Sequence, residues 1–304
     1  MAKRRTHGRN INGIILLDKP LGITSNAALQ KVKRLFNANK AGHTGSLDPL
    51  ASGLLPICLG EATKISSYLL DSDKAYLGTC KLGVTTSTAD AEGEILEQKT
   101  VGDYPETQVN EVLAKFTGTL EQIPPMHSAI KQNGQPLYKL AHKGIEVERQ
   151  PRTIHVYELA CSRLEGDELD IAMRCSKGTY VRTLAEDIGR ELGCGAHLSA
   201  LRRTKVGPFT LDRAVTMDAL ETLAEEGFAA LDREILPIEQ ALADWPEIQL
   251  TENSAFYLNQ GQPVQVAKAP TSGLVRLSAN QRFIGIGEIL DDGRVAPRRL
   301  LKSG

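Results

Sequence analysis

Residues 42–56 read GHTGSLDPLASGLLP, and Asp48 is the only carboxylate in the run. Gly42, Gly45 and Gly53, with Pro49 and Pro56, predict a tight loop here, neither helix nor strand. Pro49 biases Asp48 toward extended backbone. Flanking leucines can bury the base of such a loop, leaving one short carboxylate held rigidly toward a ligand. The same residues also suit a surface turn whose aspartate caps its own backbone, and spacing alone leaves both readings open.

Working outward, residues 13–17 (GIILL) form a buried apolar run that predicts a strand, followed by a turn at Lys19–Gly22. Thr24 or Ser25 can cap a helix with Leu29, Val32, Leu35 and Phe36 on one face and Lys31, Lys33 and Arg34 facing out. A short helix is expected over Glu61–Leu70, a strand over Ala75–Gly83 and a helix over 107–118. Residues 124–151 break the pattern with Pro124, Pro125, Gly134 and Pro136, then turn basic and helical around Tyr138–Lys143. Strands follow at 153–163 and at 169–175, where Leu169, Ile171, Met173 and Cys175 alternate. The helix expected from Tyr180 to Leu192 puts Val181, Leu184, Ile188 and Leu192 on one stripe. Helices interleaved with antiparallel strands indicate an α+β fold. Beyond Trp245-Pro246 the chain carries short strand-like runs (264–266, 274–277, 283–289) between Gly, Pro and Asn turns, a small β-rich unit.

The chain has 304 residues, 41% of them apolar and 24% charged, which suits about two domains with a sizeable core. No apolar run approaches the ~18 residues of a membrane span, and the basic start lacks the apolar core of a secretory signal. A cytoplasmic home and no membrane partner are therefore expected. Cys58, Cys80, Cys161, Cys175 and Cys194 form no C-x-x-C pair and predict reduced thiols. Scattered histidines, no phosphate loop and no dinucleotide glycine signature predict chemistry without metal or cofactor. Net charge is −1, yet basic residues cluster at 3–9, 31–40, 131–152, at Arg202, Arg203 and Lys205, and at Arg298, Arg299 and Lys302. Acids gather at Glu221–Asp232. A basic face with an acidic back suits a protein that steers RNA in one orientation.

GHTGSLDPLASGLLPICLGEATK (42–64) resembles the central motif of the TruB family, the tRNA pseudouridine-55 synthases. GIILLDKPLGITS (13–25), KAYLGTCKLGVTTSTADAEGEI (74–95), SKGTYVRTLAEDIG (176–189) and ALRRTKVGPF (200–209) resemble its other motifs, in the family's order. The resemblance implies the pseudouridine-synthase fold: a mixed, mainly antiparallel sheet with a central cleft over residues 1–247, and a PUA-like RNA-binding domain over 248–304. It implies isomerisation of a uridine in the T loop of tRNA, with no obligatory protein partner and a monomeric chain. Asp48 is then the essential acid, Arg182 the fork that holds it bidentately, and Tyr76 the active-site aromatic. Tyr180 and Leu201 pack around the base. Lys19 supports the aspartate loop or the RNA backbone. His43 wedges into the loop's stack once the target base flips out. The segment 124–151, with Lys131, resembles a thumb-like insertion that closes over RNA, although His127 stands where the family often has tyrosine. A guide-RNA-dependent relative and a non-catalytic RNA-folding protein are the competing readings.

Overall fold

The alternation of Leu169, Ile171, Met173 and Cys175 folds as expected, with all four side chains buried along one strand. The computed structural model describes residues 8–302 apart from 129, 133 and 142, so the basic residues at 3–7 lie outside it. In chain order, β1 (Gly13–Lys19) leads into α1 (Ser25–Leu35), then β2 (Ala41–His43), β3 (Ala51–Leu59) and α2 (Ser66–Leu70). Next come β4 (Lys74–Leu82), the hairpin of β5 (Val84–Thr86) and β6 (Ile95–Gln98), α3 (Glu106–Lys115) and β7 (Gly118–Gln122). An excursion holds β8 (Lys131–Gln132), β9 (Gln135–Pro136) and α4 (Leu137–Ala141). The chain returns through β10 (Arg152–Glu165), β11 (Glu168–Cys175), α5 (Val181–Leu192) and β12 (Ala196–Val206). β13 (Phe209–Thr210), β14 (Val215–Thr216), α6 (Met217–Glu226) and α7 (Phe228–Leu231) follow. The last segment carries β15 (Glu247–Leu250), α8 (Glu252–Asn259), β16 (Gly273–Ala279), β17 (Arg282–Ile289) and β18 (Val295–Leu300).

The main sheet runs β14-β1-β3-β12-β4-β11-β10-β7, with β2 on β3 and β13 on β12. β1–β14 and β3–β12 are parallel; the other pairings are antiparallel. The fold class is the mixed, mainly antiparallel α+β sheet expected from the sequence. β12 lies between β3 and β4, so it joins the first strands of the chain to the rest of the sheet.

One face carries two apolar cores. Ile15, Leu17, Leu55 and Ile57 pack under α1 and α6, and Cys80, Ile171, Val181, Leu184 and Ile188 pack where α3 and α5 cover the other half. On the reverse face Ile14, Leu16, Leu54 and Val206 meet Ile286 of β17, which is fully buried there. The last segment has its own four-stranded sheet and core, yet it docks on the main sheet through this contact. The four buried cysteines and half-buried Cys161 are free thiols, and burial pushes Cys58 and Cys80 up to about 12.

Several local expectations are corrected. The quoted run is a loop only at 44–50, and strands β2 and β3 take the rest. β3 tolerates Pro56 because β12 pairs with Ala51–Gly53 and β2 with Ile57–Leu59. Pro56 falls in the gap between those partners, where a missing N–H breaks no bond on that side. The helix expected over Glu61–Leu70 is split into a 3-10 turn (Gly60–Lys64) and α2. Residues 264–266 form no strand, only a bridge from Val264 to Val295. The supposed separation of charge is also incomplete: Arg9 pairs with Asp232 at 2.5 Å, and Lys31 with Glu221 at 2.6 Å. Basic clusters are thus partly neutralised by the acidic segment beside them.

Candidate active site

Register alone builds the floor of the site. Lys19 lies opposite Gly53, Gly53 opposite Arg203, Arg203 opposite Tyr76, and Tyr76 opposite Met173. Residues at one level of a sheet project to the same face. This row therefore crosses five strands between the α1 core and the α5 core and floors the central cleft. Leu201 lies two residues before Arg203, opposite Gly78, and is half-buried on the same side.

The loop 44–50 crosses this floor under four restraints. Ser25 Oγ donates to the Leu47 carbonyl at 2.9 Å and accepts the Leu47 N–H at 2.7 Å. Thr24, not Ser25, caps α1, accepting from the Ala27 N–H at 3.1 Å, which leaves Ser25 free for the loop. The Gly22 N–H donates to Pro49 at 2.8 Å, and the Ala51 N–H donates to Asp48 at 3.0 Å. Arg203 Nη2 reaches the Gly45 carbonyl at 3.1 Å. Every anchor is backbone or buried side chain, so the Asp48 carboxylate is left for other work.

Arg182, the second residue of α5, meets it. Arg182 Nε stands 3.2 Å from Asp48 Oδ2, while Nη1 stands 2.9 Å from Asp90 Oδ2 and Nη2 donates to the His127 carbonyl at 2.9 Å. The bidentate fork on Asp48 expected from the sequence is thus corrected: the guanidinium is divided among two carboxylates and the 124–151 segment. A cation in a first helical turn opposes the helix dipole, and two anions offset that here.

Asp90 is the site residue that sequence reasoning missed. It sits inside the quoted run 74–95, in a loop bridged to Leu198 of β12. Its Oδ1 accepts from Thr88 Oγ1 at 2.5 Å and from the Glu92 N–H at 3.1 Å. The Asp90 side chain is 3% exposed, against 45% for Asp48. The signal was a T-A-D-A-E-G sequence in which threonine and aspartate can bond locally, but the same pattern suits any Asx turn.

Lys19 is fully buried at the end of β1, donating to the carbonyls of Pro20 and Ile23 at 2.8 Å each. Burial lowers its ammonium to about 8, with Asp48 opposing and Arg203 adding. Burial likewise raises the Asp48 carboxyl above its ordinary range; Arg182 pulls it back and Asp90 pushes it up again. The Tyr76 phenol is raised by burial, with Arg203 opposing. Tyr180 precedes α5 and is locked by Gln122, whose side chain accepts its N–H at 2.8 Å and donates to its carbonyl at 3.1 Å. His43 ends β2 half-buried, its Nδ1 enclosed without a bonding partner among the described residues, and burial holds its ring below the ordinary value. Lys131 stands apart, exposed on β8. Among the described residues no cluster of three His, Cys, Asp or Glu is placed to hold a metal, and no helix is long and apolar enough to cross a membrane.

Asp48, Tyr76, Arg182, Lys19, Tyr180 and Leu201 therefore gather at one cleft, an anion on a rigid loop over an aromatic floor. Comparison with known proteins agrees. Residues 33–181 match the TruB family pseudouridylate synthase N-terminal domain. Residues 182–243 match the tRNA pseudouridylate synthase B C-terminal domain, and 246–301 the C-terminal domain of pseudouridine synthase II TruB. The tRNA pseudouridine synthase B of Stutzerimonas stutzeri is 57% identical over 100% of both chains, and that of Pseudomonas fluorescens (strain Pf0-1) is 58% identical over the same coverage. Among solved structures, a Cbf5-Nop10-Gar1 complex matches with TM-score 0.73 and 28% identity, covering 95% of this chain and 84% of that one. An H/ACA RNP bound to a substrate RNA containing 2′-deoxyuridine matches with TM-score 0.72 and 26% identity, covering 96% and 85%. Identity along the entire length, three consecutive domain matches and a shared fold lead to one assignment: the chain belongs to the TruB family and is an isomerase that converts uridine in tRNA to pseudouridine.

Proposed function

We propose that the target is the uridine at position 55 in the T loop, and that Asp48 acts on its ribose after the base is flipped out. The observation that carries this reading is the division of Arg182: a buried partner, Asp90, fixes the guanidinium, and its Nε is left for a half-exposed Asp48. As the glycosidic bond breaks, the uracil leaves with the bonding electrons and C1′ becomes electron-poor. Asp48 adds to C1′, stabilises it, or takes the C2′ proton to give a glycal. The uracil then turns and C5 bonds to C1′; the C5 proton is lost while N1 takes one up, and on the glycal route the proton goes back to C2′. No water is consumed and nothing is oxidised.

Tyr76 stacks on the extruded base while Leu201 and Tyr180 close its edges. His43 fills the space that the base leaves, and Lys19 keeps the field under the loop positive. The 124–151 segment closes over the RNA, with Lys131 on its phosphates. Residues 1–247 do the chemistry, and 248–304 form a PUA-like domain that grips the tRNA. The chain works as a monomer in the cytoplasm without a protein partner. The support is that relatives at 55% identity or more along the chain are named for tRNA, whereas the ribonucleoprotein neighbours share only 26–28%.

The test is incubation of the purified protein with an unmodified tRNA transcript, followed by mapping of pseudouridine at single-nucleotide resolution. Product confined to the T-loop uridine is expected. Product elsewhere, or only after a guide RNA is added, would overturn the reading.

A further inference from the structure

Arg203 is only 1% exposed, yet no carboxylate pairs with it among the described residues. Burying a charge without an anion is costly, and an apolar side chain of similar volume is often the more stable choice. Its surroundings give a reason for its presence. Nε donates to the Leu54 carbonyl at 2.8 Å and Nη2 to the Gly45 carbonyl at 3.1 Å. Gly45 is three residues before Asp48 and begins the loop's approach to the cleft. Tyr76 is the cross-strand partner of Arg203, so the two side chains lie side by side on one face of the sheet. Gly53 makes the approach possible: a Cβ there, at φ +101°, would meet the Arg203 carbonyl oxygen at 2.3 Å. One side chain therefore holds the root of the aspartate loop and lies beside the aromatic floor.

We infer that Arg203 is a positioning residue for the isomerisation: it fixes the Gly45 end of the Asp48 loop and the Tyr76 phenol relative to each other. It touches neither ribose nor uracil, and it acts only through those two groups. This rests on Asp48 and Tyr76 being the residues that meet the nucleotide.

The test uses the full chain with Arg203→Met and Arg203→Lys. Melting temperature, tRNA affinity and single-turnover rate at saturating enzyme are measured for each. The Met variant removes the buried charge, so its melting temperature should hold or rise. Its single-turnover rate should still fall by about 100-fold, with tRNA Kd within about threefold, because an ångström of misplacement is worth that much. The Lys variant keeps the charge but cannot fork between the Gly45 and Leu54 carbonyls, and its rate should fall by at least about tenfold. A folded Met variant with a rate within threefold of the unaltered chain overturns the inference. Failure of both variants to fold also overturns it, since Arg203 would then serve the architecture alone. Asp48→Asn is assayed in parallel. Turnover by that variant removes the reading beneath the inference, while the Arg203 result still reports on this residue by itself.

Discussion

Two loops, 44–50 and 87–94, each deliver an aspartate to Arg182, and they leave it different freedom. The first is anchored everywhere except at its carboxylate: backbone groups of Gly45, Leu47, Asp48 and Pro49 are all bonded, while the half-exposed Asp48 side chain faces Arg182. The second is anchored through backbone bonds of Ala89 and Ala91 to Leu198 and also through its carboxylate, which accepts from Thr88 and Glu92 and is nearly sealed from solvent. A group whose bonding capacity is already filled cannot take part in a reaction without breaking its surroundings. One that sits on a rigid backbone with its carboxylate half open can. The comparison makes Asp90 the anchor of Arg182 and Asp48 the group that acts.

The largest effect should come from Asp48→Asn. Turnover should be abolished while tRNA binding stays within about tenfold, or ~1.4 kcal/mol, and melting should barely change. Tritium release from uridine C5 at a rate near that of the unaltered chain would break the comparison at once. Arg182→Lys should follow closely, because a point charge cannot face two carboxylates and the His127 carbonyl together. A single-turnover rate within tenfold of normal would count against the three-way division.

Asp90→Asn should reverse the pattern of Asp48→Asn. Breaking a buried ion pair by removing one partner costs roughly 3–5 kcal/mol, so the melting temperature should fall clearly. Some activity should survive, because Arg182 keeps Asp48. An unchanged melting temperature would make the two aspartates equivalent.

The smallest effect is in the pH profile. Burial raises the Asp48 carboxyl, so its reactive ionised form is lost as pH falls through a value above the ordinary 3.8. Arg182 opposes that rise, so Arg182→Lys should move the acid limb of the single-turnover rate to higher pH. A limb that stays put or moves down would show that another group limits the rate in acid.

Much of this was legible from residues alone, and the omissions share a cause. The Thr24 cap, the α5 stripe, the strand at β4 and the period-2 run of β11 are local signals, and they emerged intact. Asp90 was lost because its meaning comes from Arg182, ninety-two residues away. Arg203 looked like one of three basic residues in an RNA-facing patch, but only its register opposite Gly53 and Tyr76 shows it buried. Arg202 beside it faces the other way, toward Asp18 at 2.6 Å. α8 was hidden because its exposed Phe256 and Tyr257 blur the helical stripe that Ala255 and Leu258 would otherwise announce.

The position of β12 bears on how the molecule is made. Synthesis delivers β1 and β3 first, then β4, β7, β10 and β11, but no strand pairing joins these two groups until residues 196–206 have left the ribosome and slotted between β3 and β4. A nascent chain of 195 residues already carries Asp48, Tyr76, Asp90 and Arg182, yet it lacks the strand that brings their two halves into register. Domains form during translation as their parts emerge, so an unfinished chain should hold two separate subassemblies and no reactive cleft. Stalled chains ending at 195 should leave tRNA unmodified, whereas chains that expose β12 should begin to protect the amides of β3 and β4 from exchange. Strand order alone should thereby keep an unfinished chain from working on tRNA.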